Sequence, residues 1–586
     1  MKQIPKSWIP ISKTRNFSLD DPLLDYLNIY DVKNIYKKPK KKKIYIGKNK
    51  YKKTNKKINS FLNFLLDEGI KFEEIIYSKL QTIFRNNIVK ICNSYEARNI
   101  INYQNTIKEL NKGTKIIYQG VLYDYEKKIF GVPDLIVRTD ILNDIFNNFT
   151  LSRRNQIIKA PLLDINKYHY CIIDIKNSIL HFNIDGKTVR NNNNIKPFKT
   201  QLYLYNEILG KIQGYTHNEI YILGNGWQLT KQINKQNIKY YCHEPFDKPG
   251  IIDINNFDKQ YKFISQDAID WLKNLNKNGY RWKLFPPSNK YLYPNMNNTL
   301  DTTHKKIKHE LSNEIGEITQ LWNCSIGNRN NAFNNNIYSW KNNDCNSTLL
   351  GIKGKRGKII DEMISFHKSN DIYSYKEPIV NLNNWKDNNK LTFFVDFETI
   401  NGELNDETIV FMIGLGWIEN NKWIYKDYTV SQLNFYQEKQ IYQQFINQIK
   451  KLTNNYTKDY NIYHWSPIEK TYYNNFNKKN KNIYPELNWC DLLVVFRDSQ
   501  FFIKDSFNYS LKSIVYSLNK YKFIDTKWNN LDNGLDAMFL AWQEYKKNDL
   551  ISINDSTVIK KVIDYNEIDC KVLYDILLFL KRLKQT

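Results

Sequence analysis

Residues Thr392–Ile400 read TFFVDFETI, an apolar strand that carries two acids, Asp396 and Glu398, two positions apart. Side chains two apart on a strand share a face. Ionised carboxylates are costly to bury without a partner, and a bound cation offsets that cost. The sequence downstream supplies the rest of an α/β domain. VFMIGLGWIENNKWIYKDYTV reads as two further strands with a hairpin turn at Glu419–Lys422. A helix at Phe435–Leu452 and a strand at NIYHW follow. Helices then fall near Ile468–Asn480, Leu511–Leu518 and Gly534–Lys547, and a final helix spans about Thr557–Arg582. On that last helix Tyr565 and Asp569 are four apart and share a face. Between the opening strand and that last helix lie YHWSPIEKTYY, with Glu469, and NWCDLLVVFRDS, with Asp491. Asp491 is either a supporting acid or a strand-end cap.

A second acidic set lies upstream. From Asn59 to Phe84 the apolar spacing is helical, and GIKFEE places Gly69, Phe72 and Glu73 on that helix. GVPDLIVR puts Asp134 at the start of a strand, and IIDIKNS puts Asp174 and Lys176 on one strand face. QLYLY sets Gln201 and Tyr205 one helical turn apart. Carboxylates gathered with a lysine suit Mg²⁺ or Mn²⁺ and a phosphodiester. The metal polarises the phosphate and acidifies its bound water. The lysine orients the attacking water or neutralises charge developing at phosphorus.

The order G-x-x-F-E, G-x-P-D, D-x-K and Q-x-x-x-Y, over about residues 59–224, resembles the RecB-like branch of the PD-(D/E)XK nuclease superfamily. The resemblance implies a restriction-endonuclease-like fold and a metal-dependent DNA nuclease core. It places Glu73, Asp134, Asp174 and Lys176 at the metals, and Gln201 and Tyr205 on the substrate side. Two departures stand out. The gap from Asp134 to Asp174 requires an insertion that loops out. Some members carry a cysteine-ligated iron–sulfur cluster, and none is expected here, because the seven cysteines are scattered with no C-x-x-C pair.

The downstream set resembles the Y subtype of the DEDD family of ribonuclease H-like 3′–5′ exonucleases, and more closely the YprB-like domains, over about residues 391–583. There D-x-E opens the first strand and Y-x-x-x-D closes on the last helix. The resemblance implies Asp396, Glu398, Glu469 and Asp569 as ligands of two metals, with Tyr565 orienting the attacking water. The middle motif, N-x-x-x-(F/Y)-D in the family, here reads His464-Trp465-Ser466-Pro467-Ile468-Glu469. Either the local backbone shifts to compensate for the longer Glu469, or the site is weak. His464 reads equally as a packed core residue or a functional one.

Between the two sets, residues about 255–375 read as mostly helical. LGIKGKRGKII resembles the hairpin of a helix-hairpin-helix motif, which implies that Lys353, Lys355 and Arg356 grip nucleic-acid phosphates. The organisation expected is an α/β multidomain chain. It comprises an N-terminal segment with a basic arm (1–58), a RecB-like domain (59–254), a helical joint (255–390) and a YprB-like, RNase H-like domain (391–586).

The formal net charge of +26 points to a polyanion, nucleic acid above all. Compositional drift of an AT-rich sequence is the competing reading, since Lys, Asn, Ile and Tyr are all abundant. Lys37–Lys57 holds twelve lysines and no acid, and reads as a flexible arm. No apolar run approaches the ~20 residues of a membrane span. The opening MKQIPKSWIPISKTRNF lacks a signal peptide's apolar core, so an intracellular, reducing compartment is expected. Gly186-Lys187-Thr188 is not a Walker loop, because the glycine needed five residues earlier is His181; no ATP site is expected. The function expected is metal-dependent hydrolysis of nucleic acid, DNA ahead of RNA, in replication, recombination or repair. The alternatives are an RNA-directed exonuclease and a binding protein whose RNase H-like domain is a non-catalytic platform.

Overall fold

The structure is a computed structural model, and it describes residues 3–30, 60–148, 151–163, 167–192, 194–301, 303–376, 390–400, 408–528, 534–547 and 553–583. The lysine run Lys37–Lys57 lies outside the described residues. The chain divides into two compact units, Met1–Ile315 and Gly316–Thr586.

The first unit is organised by one mixed sheet. Helix α1 (Ser60–Phe84) leads into strand β1 (Ile88–Lys90), helix α2 (Ile100–Lys112) and strand β2 (Ile116–Tyr118). Short strands β3 (Leu122–Asp124) and β4 (Ile129–Gly131) pair with each other. Then come β5 (Leu135–Arg138), β6 (Tyr170–Phe182), helix α3 (Lys196–Gln213), β7 (Glu219–Ile233), β8 (Gln236–Cys242) and β9 (Gly250–Asp253). The sheet order is β9-β7-β6-β5-β2-β1, with β8 added to β7. Helix α1 buries Phe72, Ile76, Leu80 and Phe84 against Ile173, Ile175, Tyr221 and Leu223 of the sheet. Strand β7 runs well past the expected NEIYILG and continues as a ribbon with the exposed β8. The long gap between Asp134 and Asp174 is clipped at its base, where Arg138 pairs with Tyr170 and Thr139 N–H donates to the His169 carbonyl at 2.9 Å. Residues 3–30 are pinned to helices α4 (Tyr261–Asn278) and α5 (Lys305–Ile315). Asp21 meets Lys308 at 2.8 Å, and the Trp271 indole donates to Asp25 at 3.0 Å.

The second unit begins with helices α6 (Ile326–Asn334) and α7 (Gly354–Lys368). Its sheet contains β10 (Leu391–Ile400), β11 (Ile409–Glu419), β12 (Lys422–Thr429), β13 (Tyr460–His464) and β14 (Trp489–Asp491), in the order β12-β11-β10-β13-β14. Asn420 and Asn421, both at positive φ, make the two-residue turn between β11 and β12. Strand β10 is antiparallel to β11 and parallel to β13. Helices α8 (Phe435–Leu452), α9 (Ile468–Lys479), α10 (Leu492–Asp498), α11 (Leu511–Lys520), α12 (Gly534–Lys546) and α13 (Thr557–Arg582) complete the unit. Phe394, Tyr463, Val495, Ile514, Leu573 and Ile576 share one core with Ile360 and Met363 of α7.

Unit one also buries two histidines against each other. His169 Nε2 lies 2.7 Å from His217 Nδ1, and His217 Nε2 lies 2.9 Å from the Tyr221 hydroxyl. Burial pushes His217 down to about 3 and lowers His169 as well. An unfolded histidine titrates near 6.5. As pH falls through that value the unfolded chain takes up protons that the folded chain refuses, so stability drops. His217 alone is expected to remove roughly 2 kcal/mol of stability between pH 7 and 5. Urea unfolding at the two pH values checks this. His217→Gln should flatten the difference, and an unchanged difference would contradict the assignment.

Candidate functional site

In the second unit, β10 and α13 meet at three acids. One carboxylate oxygen each from Asp396, Glu398 and Asp569 lies within 4.8 Å of the others. Glu398 and Asp569 are only 7% and 6% exposed. Burial, with repulsion from Asp569 added, pushes Glu398 up to about 8. Burial raises Asp569 to about 7 against the opposing pull of Lys512. Asp396 is raised well above the carboxylate range by burial and by the other acids.

The surroundings hold this charge in place. Asn566 donates to Asp396 Oδ2 at 2.8 Å, and its own Oδ1 accepts from the Tyr425 hydroxyl at 2.9 Å. Gly414 pairs across the sheet with Asp396. A Cβ at Gly414 would sit 1.7 Å from Asn566 Oδ1, so only glycine lets Asn566 through. The Trp528 indole donates to Asp569 Oδ1 at 2.9 Å. The Tyr565 hydroxyl also bonds Asp569. Lys512, in the first turn of α11, has its Nζ 5.1 Å from the Tyr565 ring centre and 5.4 Å from that of Trp528. Its positive field opposes the rise of all three acids.

Glu469 stands in the first turn of α9, 5% exposed, and its charge is felt by Asp396 and Asp569. It is not one of the three converging acids. Its Oε2 approaches His464 Nδ1 at 3.3 Å, while that Nδ1 donates to the Ser466 carbonyl at 2.6 Å. The single Nδ1 proton is thus committed to Ser466, and Glu469 Oε2 remains buried without a hydrogen bond. Glu469 is therefore neither in solvent nor turned fully into the cluster. Asp491 is a cap: its Oδ1 accepts from the N–H groups of Leu493 and Ser466 at 2.9 and 3.0 Å.

The first unit assembles the other expected set. Lys176 Nζ lies 2.5 Å from Asp174 Oδ2 and 3.7 Å from Asp134 Oδ2. The Ile175 N–H donates to Asp134 Oδ2 at 2.7 Å. Burial, opposed by Lys176, raises Asp174 to about 8. Glu73 projects from α1; its Oε1 accepts from the Tyr118 hydroxyl at 2.8 Å and from Gln119 Nε2 at 2.9 Å. Burial and then Asp134 raise Glu73. Gln201 Nε2 donates to the Tyr205 oxygen at 2.7 Å. A Cβ at Gly131 would lie 2.2 Å from the Tyr205 ring, so the glycine of G-x-P-D makes room for the tyrosine of Q-x-x-x-Y. Lys353, Lys355 and Arg356 are exposed where α7 begins, after Gly351 at φ +71°.

Both acid sets are chemically suited to a hard divalent cation. Three oxygens already converge in the second unit. In the first, the buried Gln119 Oε1 lacks a hydrogen-bond partner beside Glu73. Comparison with known families bears on the second unit. A family model of the RNase H superfamily matches residues 393–580. Those residues form an RNase H-like domain. The match spans Asp396, Glu398, Glu469, Tyr565 and Asp569. Comparison with curated proteins finds no match to the chain. No helix among the described residues is long and apolar enough to cross a membrane.

Sequence reasoning missed the residues that brace the acids of the RNase H-like domain: Asn566, Tyr425, Trp528 and Lys512. A glycine inside the buried β11, opposite Asp396, was the available signal for Asn566, since it marks a close approach. Lys512 and Trp528 come from other elements and carry no local pattern. The Gly414–Asn566 fit makes a non-additive prediction. Gly414→Ala alone should cost about 1–3 kcal/mol by overpacking. In an Asn566→Ala background the same change should cost much less. A double-mutant cycle by chemical denaturation checks this, and additive effects would contradict the contact.

Proposed function

We propose that the chain is a metal-dependent nuclease with two acidic centres, acting on DNA ahead of RNA in replication, recombination or repair. The observation that carries the reading is the convergence of Asp396, Glu398 and Asp569 inside an RNase H-like domain. On this reading the domain is a YprB-like, DEDDy-type 3′–5′ exonuclease. Divalent metal would polarise the phosphate and supply a more acidic bound water there. Asp396, Glu398 and Asp569 hold the cation, and Tyr565 orients the attacking water through its hydroxyl. Lys512 offsets negative charge at the same place.

The first unit is proposed as a RecB-like PD-(D/E)XK centre. Glu73, Asp134 and Asp174 hold metal, and Lys176 balances charge at the scissile phosphate. Gln201 and Tyr205 face the substrate. The proposed order is nuclease domain (59–254), helical joint (255–390) and RNase H-like domain (391–586), with the two compact units dividing inside the joint, after Ile315. Lys353, Lys355 and Arg356 would grip the backbone in helix-hairpin-helix fashion, with the lysine arm adding non-specific affinity.

A second reading makes the RNase H-like domain a binding platform. It is favoured by Glu469, which touches His464 instead of joining the three converging acids. Labelled single- and double-stranded DNA and RNA, incubated with Mg²⁺, Mn²⁺ or EDTA, separate the readings. The nuclease reading expects cleavage with metal and none with EDTA. Asp396→Asn should abolish stepwise loss from 3′ ends, and Asp134→Asn the remaining cleavage. Glu469→Gln should be as severe as Asp396→Asn if Glu469 ligates. Binding that persists in EDTA, with no cleavage under any metal, would favour the platform.

A further inference from the structure

Gln119 follows β2 in the first unit and belongs to none of the motifs. Its backbone is left-handed, at φ +52°, a conformation that a non-glycine residue holds only where the surroundings over-determine it. Two of its hydrogen bonds run to residues of the acid set, one to a main-chain carbonyl and one to a carboxylate. The Gln119 N–H donates to the Asp134 carbonyl at 2.8 Å, and its side-chain Nε2 donates to Glu73 Oε1 at 2.9 Å. The other atom of the same amide, Oε1, is closed off from solvent and has no hydrogen-bond partner. Exchanging the amide's nitrogen and oxygen would set two acceptors against each other at Glu73, so the orientation follows from the chemistry. A buried carbonyl oxygen without a donor is rare in folded proteins. Amide oxygens are also ordinary ligands of hard divalent cations.

The local charge favours a neutral ligand. Glu73, Asp134 and Asp174 already face one ammonium, Lys176, and two of them are raised by burial. A fourth carboxylate would add repulsion, whereas an amide oxygen adds a ligand without charge. Tyr118 and Gln119 both donate to Oε1 of Glu73. Both of these bonds fall on one oxygen of the Glu73 carboxylate.

We propose that Gln119 Oε1 is an oxygen ligand of a divalent cation held by Glu73, Asp134 and Asp174. The proposal rests on reading that centre as a metal site, and the test keeps the two claims apart. The full chain carrying Asp396→Asn and Asp569→Asn, which silence the other centre, is titrated with Mn²⁺ and with Cd²⁺ by calorimetry. Gln119→Met replaces a hard oxygen with a soft thioether. It should weaken Mn²⁺ binding by roughly tenfold or more and leave Cd²⁺ binding intact. Gln119→Asn keeps an amide and tolerates the left-handed backbone but withdraws the oxygen by one methylene. It should weaken Mn²⁺ binding similarly and guards against a methionine variant that does not fold. Unchanged Mn²⁺ binding in both variants would overturn the proposal, provided that Glu73→Ala and Asp134→Asn abolish it. So would a parallel loss of Mn²⁺ and Cd²⁺ in Gln119→Met, because that would make Gln119 only a prop for Glu73. If Glu73→Ala and Asp134→Asn also leave Mn²⁺ binding unchanged, the metal reading itself fails and the proposal with it.

Discussion

An ionised carboxylate gives up several kcal/mol of hydration when it is buried, and the second unit gathers three carboxylates within 4.8 Å of one another. The rest of that site is arranged around the cost. Asn566 and Trp528 aim N–H donors at Asp396 and Asp569. Lys512 supplies positive field, and Gly414 gives up its side chain so that Asn566 can reach. One lysine faces three converging acids, and burial first, with repulsion from neighbouring acids added, raises Glu398 and Asp569. A fold selected for stability alone has no use for such a cluster. On the proposed reading a cation would supply the missing charge.

The first unit solves the same problem with a different balance. Lys176 sits between Asp174 and Asp134 and satisfies part of the charge directly. Its three acids do not form a cluster as tight as that of the RNase H-like domain among the described residues. Ground-state positions are instead fixed by bonds to the backbone and to neighbouring side chains. Ile175 N–H holds Asp134, while Tyr118 and Gln119 hold Glu73.

Spacing made the acids themselves legible. Asp396 and Glu398 stand two apart on a strand, and Tyr565 and Asp569 four apart on a helix, so strand and helix periods alone put each pair on one face. The final helix, Thr557–Arg582, was readable to its ends because its apolar period is unbroken and Ser556 caps it. The ribbon of β7 and β8 was not, because its exposed strand shows no alternation of burial. The braces were illegible for a different reason. Lys512, Trp528 and Tyr425 arrive from elements far apart in sequence, and nothing in their local residues says what they will face. Glu469 shows the limit of a motif: its position in the sequence fits, and the atom it meets is His464.

The central claim is that the acids of the RNase H-like domain are held against their mutual repulsion for the sake of a cation. Equilibrium unfolding of the full chain and of Asp569→Asn, each with EDTA and with Mn²⁺, tests it most directly. Ligands that bind only the folded state stabilise it. At pH 9, where Glu398 and Asp569 are ionised without metal, removing one buried charge should make Asp569→Asn more stable than the parent in EDTA, while Mn²⁺ should stabilise the parent by more than the variant. A variant less stable than the parent in EDTA, with no difference in the response to Mn²⁺, would contradict the account.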